Sequence, residues 1–108
     1  MAKYYLTNLA VEDLTKIWDY TYETWSEKQA DKYYDLLLVT FNEIAINPKL
    51  GKKYDVTNKG VLGLKTGEHV VFYQIIFSIV IKIDPTIINI SIVSINTGKI
   101  VGDFYLNG

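Results

Sequence analysis

Hydrophobic positions recur every three or four residues through the first half of the chain and every second residue through much of the second half. Those two periods belong to helices and to strands. Tyr4-Tyr5-Leu6 reads as a short opening strand. Thr7 follows as a candidate helix N-cap, with Glu12 and Asp13 near the helix start, where the dipole favours negative charge. Ala10, Leu14, Ile17, Trp18, Thr21 and Trp25 then fall on one apolar stripe, and the spacing predicts both tryptophans in the core. Ser26-Glu27-Lys28-Gln29 has the form of a capping box that opens a second helix. Ala30, Tyr33, Tyr34, Leu37, Phe41, Ile44 and Ala45 repeat at helical spacing until Asn47-Pro48 stops them. Two amphipathic helices with almost no linker fold back antiparallel as a hairpin.

Lys49 to Asn58 reads as a polar connector. Gly60 to Leu64 is the next candidate strand, turning at Thr66-Gly67. The stretch from His69 to Ile83 is rich in valine, isoleucine and aromatics, and Asp84-Pro85-Thr86 is a turn signal. Ile88, Ile90 and Ile92 alternate with Asn89 and Ser91, and a turn at Asn96-Thr97-Gly98 precedes a candidate last strand from Ile100 to Leu106. The pattern predicts one α+β domain over residues 1–108, a short strand and a helical hairpin packed on a C-terminal antiparallel sheet. The isoleucine-rich strand would aggregate as an exposed edge, so a partner or a second copy is expected to cover or extend the sheet.

Composition narrows the chemistry. At 108 residues the chain can bury roughly two-thirds of its unfolded surface, enough for one core. It has no cysteine, which excludes disulfides, thiolate metal sites and cysteine nucleophiles, and fits a reducing cytoplasm. The first residues turn polar too soon for a signal peptide, and the longest apolar run, Val70 to Ile83, is broken by Gln74, Ser78 and Lys82. Net charge is −1, with acids and lysines balanced in each half, which disfavours strong direct nucleic-acid binding. All 11 cations are lysine, so bidentate guanidinium contacts are impossible. No metal constellation or phosphate-cradling glycine loop is present in the sequence, and no cofactor is expected.

Four segments carry a resemblance: Leu6-Thr7-x-x-Ala10-x-x-Asp13-Leu14-x-x-Ile17-x-x-Tyr20, Gln29-Ala30-Asp31-x-Tyr33, Asn47-Pro48-x-Leu50-Gly51-Lys52 and His69-Val70-Val71-Phe72-Tyr73-Gln74-Ile75. In their order and spacing, from about Tyr4 to Ile76, they resemble a ParE toxin of the ParE/RelE toxin–antitoxin superfamily. The resemblance implies a small cytoplasmic bacterial toxin, of the kind linked to plasmid stabilisation, neutralised by a ParD-like antitoxin, with a homodimer or a heterotetramer with the antitoxin as the candidate assemblies. ParE-type members inhibit DNA gyrase by protein–protein binding, whereas RelE-type relatives cut mRNA on the ribosome. The family often has basic residues where Leu62, Gln74 and Ser94 stand here, and a Met-Asp pair near Ile100-Val101. Fold and antitoxin binding therefore carry over better than toxicity, and a non-toxic antitoxin-binding relative is a third reading.

RNA cleavage would need a base, a cation and a proton donor, for which Lys65, His69 and Tyr73, with Glu68 beside them, are the candidates. The branch that cuts RNA uses arginines on a basic surface, so the reading without catalysis leads. His69 is more often a structural hydrogen-bonding residue than a proton carrier. Tyr20, Tyr22, Tyr33 and Tyr34 are ordinarily rim packing, yet tyrosines also anchor interfaces, and they form the candidate antitoxin groove. Lys65 and Lys99 are the candidate target-binding cations, and Lys52-Lys53 a solvated connector. Asp13 and Asp31 fit helix-terminal roles.

Overall fold

The computed structural model of the chain describes residues 4–53, 60–77 and 88–97. Outside them lie the expected turn at Asp84-Pro85-Thr86, the last strand from Ile100 to Leu106, and Lys99. Two helices pack on one face of a five-stranded sheet. In chain order the elements are β1 (Tyr4–Leu6), α1 (Asn8–Thr24), α2 (Glu27–Ile46), β2 (Lys52–Lys53), β3 (Leu62–Thr66), β4 (His69–Phe77) and β5 (Ile88–Asn96). The sheet order is β1-β5-β4-β3-β2.

Both predicted N-caps are in place. The Thr7 side chain accepts a hydrogen bond from the Ala10 N–H (3.0 Å), and Ser26 accepts one from Gln29 (3.1 Å). Ala10 and Leu14 of α1 and Leu37, Phe41 and Ile44 of α2 are buried against Val71, Tyr73, Ile90, Ile92 and Ile95 of the sheet. Burying each of the large side chains among these contributes about 1.5–3 kcal/mol. Phe41 sits at the centre, its ring 5.4 Å from that of Tyr4 on β1.

The α+β class and the hairpin are as expected, and the structure adds three details. First, the sheet is mixed. β1 runs parallel to β5 through Tyr4↔Ile90, Tyr5↔Ser91 and Leu6↔Ile92, while the other pairings are antiparallel. Second, the isoleucine-rich strand is not an edge. β5 lies between β1 and β4, so the reason for expecting a partner along it falls away. Beyond the short β1, α1 takes over its outer side: the Thr7 N–H donates to Ile92 O (3.0 Å), the Thr7 hydroxyl donates to Val93 O (2.7 Å), and the Ile95 N–H donates to Asp13 Oδ2 (2.9 Å). Third, the polar connector contains β2, where Lys52 and Lys53 pair with Gly63 and Leu62.

A register shift between Phe72 and Tyr73 decides which residues of β5 face the helices. Tyr73 pairs with Ile92 but Phe72 pairs with Ser94, leaving Val93 as the extra residue. Strict alternation from Ile90 and Ile92 would aim Ser94 at the helices. The bulge instead resets the period, so that Ile95 enters the core and Ser94 turns, buried, to the opposite face.

Candidate functional site

The expectation that both tryptophans are core residues is not met. Trp25 is 73% exposed, because it is the C-cap of α1 (φ −121°, ψ −78°) and the helical period no longer aims its side chain inward. Trp18 lies half-buried at the seam between the helices, stacked on Tyr22 with ring centroids 5.2 Å apart. Its indole N–H donates to Asp31 Oδ1 (3.1 Å). Tyr20 is 68% exposed, and Tyr22 and Tyr34 are also exposed. The hairpin thus presents aromatic side chains to solvent in the half next to its connecting turn, around hollows on either side of the seam. One, of about 380 Å³, is lined by Thr15, Trp18, Asp19, Asp31 and Tyr34. The other, of about 400 Å³, is lined by Tyr20, Thr21, Trp25, Gln29, Tyr33, Glu68 and His69.

Tyr33 differs from the other tyrosines because its hydroxyl is fully engaged. It accepts from the Glu68 N–H (3.0 Å), and lies 2.7 Å from His69 Nδ1 and 3.2 Å from Thr66 O. Burial pushes the His69 pKa below its ordinary value, against the opposing pull of Glu68 and Asp13. The phenol carries a single proton, which Thr66 O and His69 Nδ1 share as acceptors, and the imidazole tautomer sets whether Nδ1 accepts from or donates to the Tyr33 oxygen. Burial likewise holds the Tyr33 phenol above the usual tyrosine range, so it remains a donor. Gly67, at φ +58°, makes this junction possible. A Cβ there would stand 2.7 Å from the Tyr33 ring, and the backbone conformation itself favours glycine.

Asp13 is not a helix-terminal residue, since the first turn of α1 contains no acid. Its carboxylate takes the otherwise unpaired Ile95 N–H, and burial raises its pKa more than that hydrogen bond lowers it. Asp31 likewise holds the Trp18 indole rather than capping α2. Neither role has a local sequence signature, because both partners are distant in the chain.

The residues an RNA-cleaving site would require are not brought together. Lys65 pairs with Val70, and Thr66 pairs with His69. Successive residues alternate faces, so Lys65 points away from the helices while His69 and Tyr73 point toward them. Tyr73 is buried, its hydroxyl donating to Pro48 O (2.7 Å) and accepting from the Gly51 N–H (2.8 Å). It holds the connector onto β4 and has no free proton to give. Leu62 packs against the core, where a basic side chain would be costly, and Ser94 is buried on the other face. Among the described residues, no group of three or more His, Asp or Glu side chains is placed to hold a metal ion. No helix among them is long and apolar enough to cross a membrane.

Comparison with known proteins agrees with this architecture. Residues 4–94 match the family described as ParE toxin of type II toxin-antitoxin system, parDE. Toxin ParE1 of Mycobacterium tuberculosis is 34% identical over 74 residues, which cover 68% of this chain and 76% of the relative. Toxin ParE1 of Caulobacter vibrioides is 35% identical over 75 residues, 69% of this chain and 78% of that one. Among solved structures, a chain from the chromosomal ParDE TA system of P. aeruginosa superposes with a TM-score of 0.70. That match covers 92% of this chain and 98% of the other at 17% identity, so it speaks for the fold alone. A type II toxin implies an antitoxin partner. On the strength of the family match and these relatives, the chain belongs to the ParE toxins of the ParE/RelE superfamily, the toxin half of type II toxin–antitoxin systems.

Proposed function

We propose that this toxin acts in the cytoplasm by binding a protein, DNA gyrase, without catalysis of its own, and that a ParD-like antitoxin neutralises it by covering the hairpin. The observation that carries the reading is the division of the candidate residues. Lys65, on the face away from the helices, is separated from His69 and Tyr73, while Tyr20, Tyr22, Tyr34 and Trp25 are offered to solvent on the hairpin. Exposed aromatics with rigid rings are the common anchors of protein interfaces. In this reading Tyr20, Tyr22 and Tyr34 meet the antitoxin directly, Tyr33 shapes the groove through its bonded hydroxyl, and Lys65 with Lys99 meets the target.

The test pairs two assays on the purified chain. Loss of gyrase supercoiling with intact transcripts in a translation mixture is the expected result. Cut transcripts with normal supercoiling would replace it with the ribosome-dependent nuclease reading. No effect in either assay, together with tight antitoxin binding, would identify a non-toxic relative, consistent with the packed positions of Leu62 and Ser94.

A further inference from the structure

The even charge of the two sequence halves conceals an imbalance between elements. The hairpin from Asn8 to Ile46 carries eight carboxylates against three lysines, and the rest of the chain eight lysines against four carboxylates. Beside the connecting turn of this acidic hairpin lies the cleft walled by Tyr20, Trp25 and Tyr33, with Glu68 in its lining and no lysine among the described residues that line it. Glu68 is held at that wall from two sides. Its N–H is bonded to the Tyr33 hydroxyl, and Gly67 before it is pressed against the Tyr33 ring with no room for a side chain. His69, whose Nδ1 faces the Tyr33 hydroxyl, is neutral above its lowered pKa and adds no repelling charge there.

We propose that this cleft receives a cationic side chain, an arginine, presented by the partner segment that covers the hairpin. Aromatic faces attract a guanidinium through their quadrupoles, and Trp is the strongest of them. Glu68, its backbone held at the wall, supplies a counter-charge, and the surrounding carboxylates draw a basic segment toward the site. A second copy of this chain could offer only lysine, a compact and strongly hydrated ammonium that stacks less well on aromatic rings than a planar guanidinium. The inference rests on the reading of the hairpin as a partner-binding surface and adds the chemistry that the partner must carry.

The probe is N-acetyl-arginine amide, titrated into the full chain while the Trp25 indole and Tyr20 ring signals are followed by NMR. N-acetyl-citrulline amide, of the same shape without the charge, and N-acetyl-glutamate amide are the controls. The arginine compound should shift both residues saturably, leave Trp18 unmoved, and bind at least about fivefold more tightly than the citrulline compound. Glu68→Gln should remove most of that preference, and Trp25→Ala should abolish saturation. Both positions are exposed and leave the core intact. Equal binding of the two compounds, or an equal response at Trp18, would overturn the inference. A second measurement uses the antitoxin encoded beside the toxin gene. If it binds wild type, E68Q and W25A equally well, the cleft is not its anchor, and the toxin–antitoxin reading survives alone. If it fails to bind any of them while the arginine probe still saturates, that broader reading falls and the cleft's chemistry remains.

Discussion

At the scale of single residues, three side chains hold this protein together in ways that can be separated by substitution. The Thr7 hydroxyl caps α1 and also donates to Val93 O, joining the helix start to the bulge of β5. Thr7→Ala should cost about 1–2 kcal/mol in urea unfolding, and Thr7→Ser should recover most of it. Asp13 carries a half-buried charge whose value lies in its acceptor oxygen. Asp13→Asn keeps an acceptor for the Ile95 N–H and should change stability by less than about 1 kcal/mol, whereas Asp13→Ala leaves that N–H unpaired at a cost of about 1–3 kcal/mol. The two titrating groups near this junction act with opposite signs. The His69 pKa is lowered on folding, so its contribution is present above the unfolded value of 6.5 and is lost as pH falls through the folded value. The Asp13 pKa is raised, so its contribution is present below 3.8 and is lost as pH rises through the folded value. Thermal unfolding followed from about pH 8 to about pH 5 should therefore show wild type losing more stability than His69→Gln.

Among the elements, the outer side of β5 shows how a sheet can be closed without a long edge strand. The three residues of β1 pair with Ile90 to Ile92, and the two side chains from the start of α1 take the next groups, Val93 O and Ile95 N. Strand addition along β5 would have to displace both, so the chain should remain monomeric when purified alone, as light scattering at rising concentration would show. The connector is held by Tyr73 in a similar way. Tyr73→Phe strips the partner from Gly51 N–H and Pro48 C=O and should cost about 1–3 kcal/mol. If toxicity depends on protein binding rather than proton donation, the same variant should keep its activity per folded molecule in the supercoiling assay. The helices and most strands were legible in the sequence, because caps, stop signals and apolar periods are local. β2 was not, since two lysines become a strand only where β3 offers its edge. Nor was the bulge, which exists only in the pairing of two strands.

For the whole molecule, an acidic aromatic hairpin lies on one face of a sheet whose other face carries Lys65. In this division the antitoxin and the target need not compete for the same side chains. Replacing Tyr20 and Tyr22 together with alanine should weaken antitoxin binding about tenfold or more by calorimetry while leaving the melting temperature within a few degrees. Lys65→Glu should do the reverse, reducing target binding with the antitoxin affinity preserved. The sequence by itself determined the domain class, the hairpin, the helix caps and the family, all of which rest on short-range periodicity and on the order of short motifs. Only the tertiary structure decided that Trp25 is exposed, that Asp13 seals β5, that Tyr33, Glu68 and His69 share one cleft, and that Lys65 stands across the sheet from His69. The first turns on where α1 ends, and the other three depend on groups brought together by strand pairing and helix packing, for which a local pattern holds no information about a partner that lies dozens of residues away.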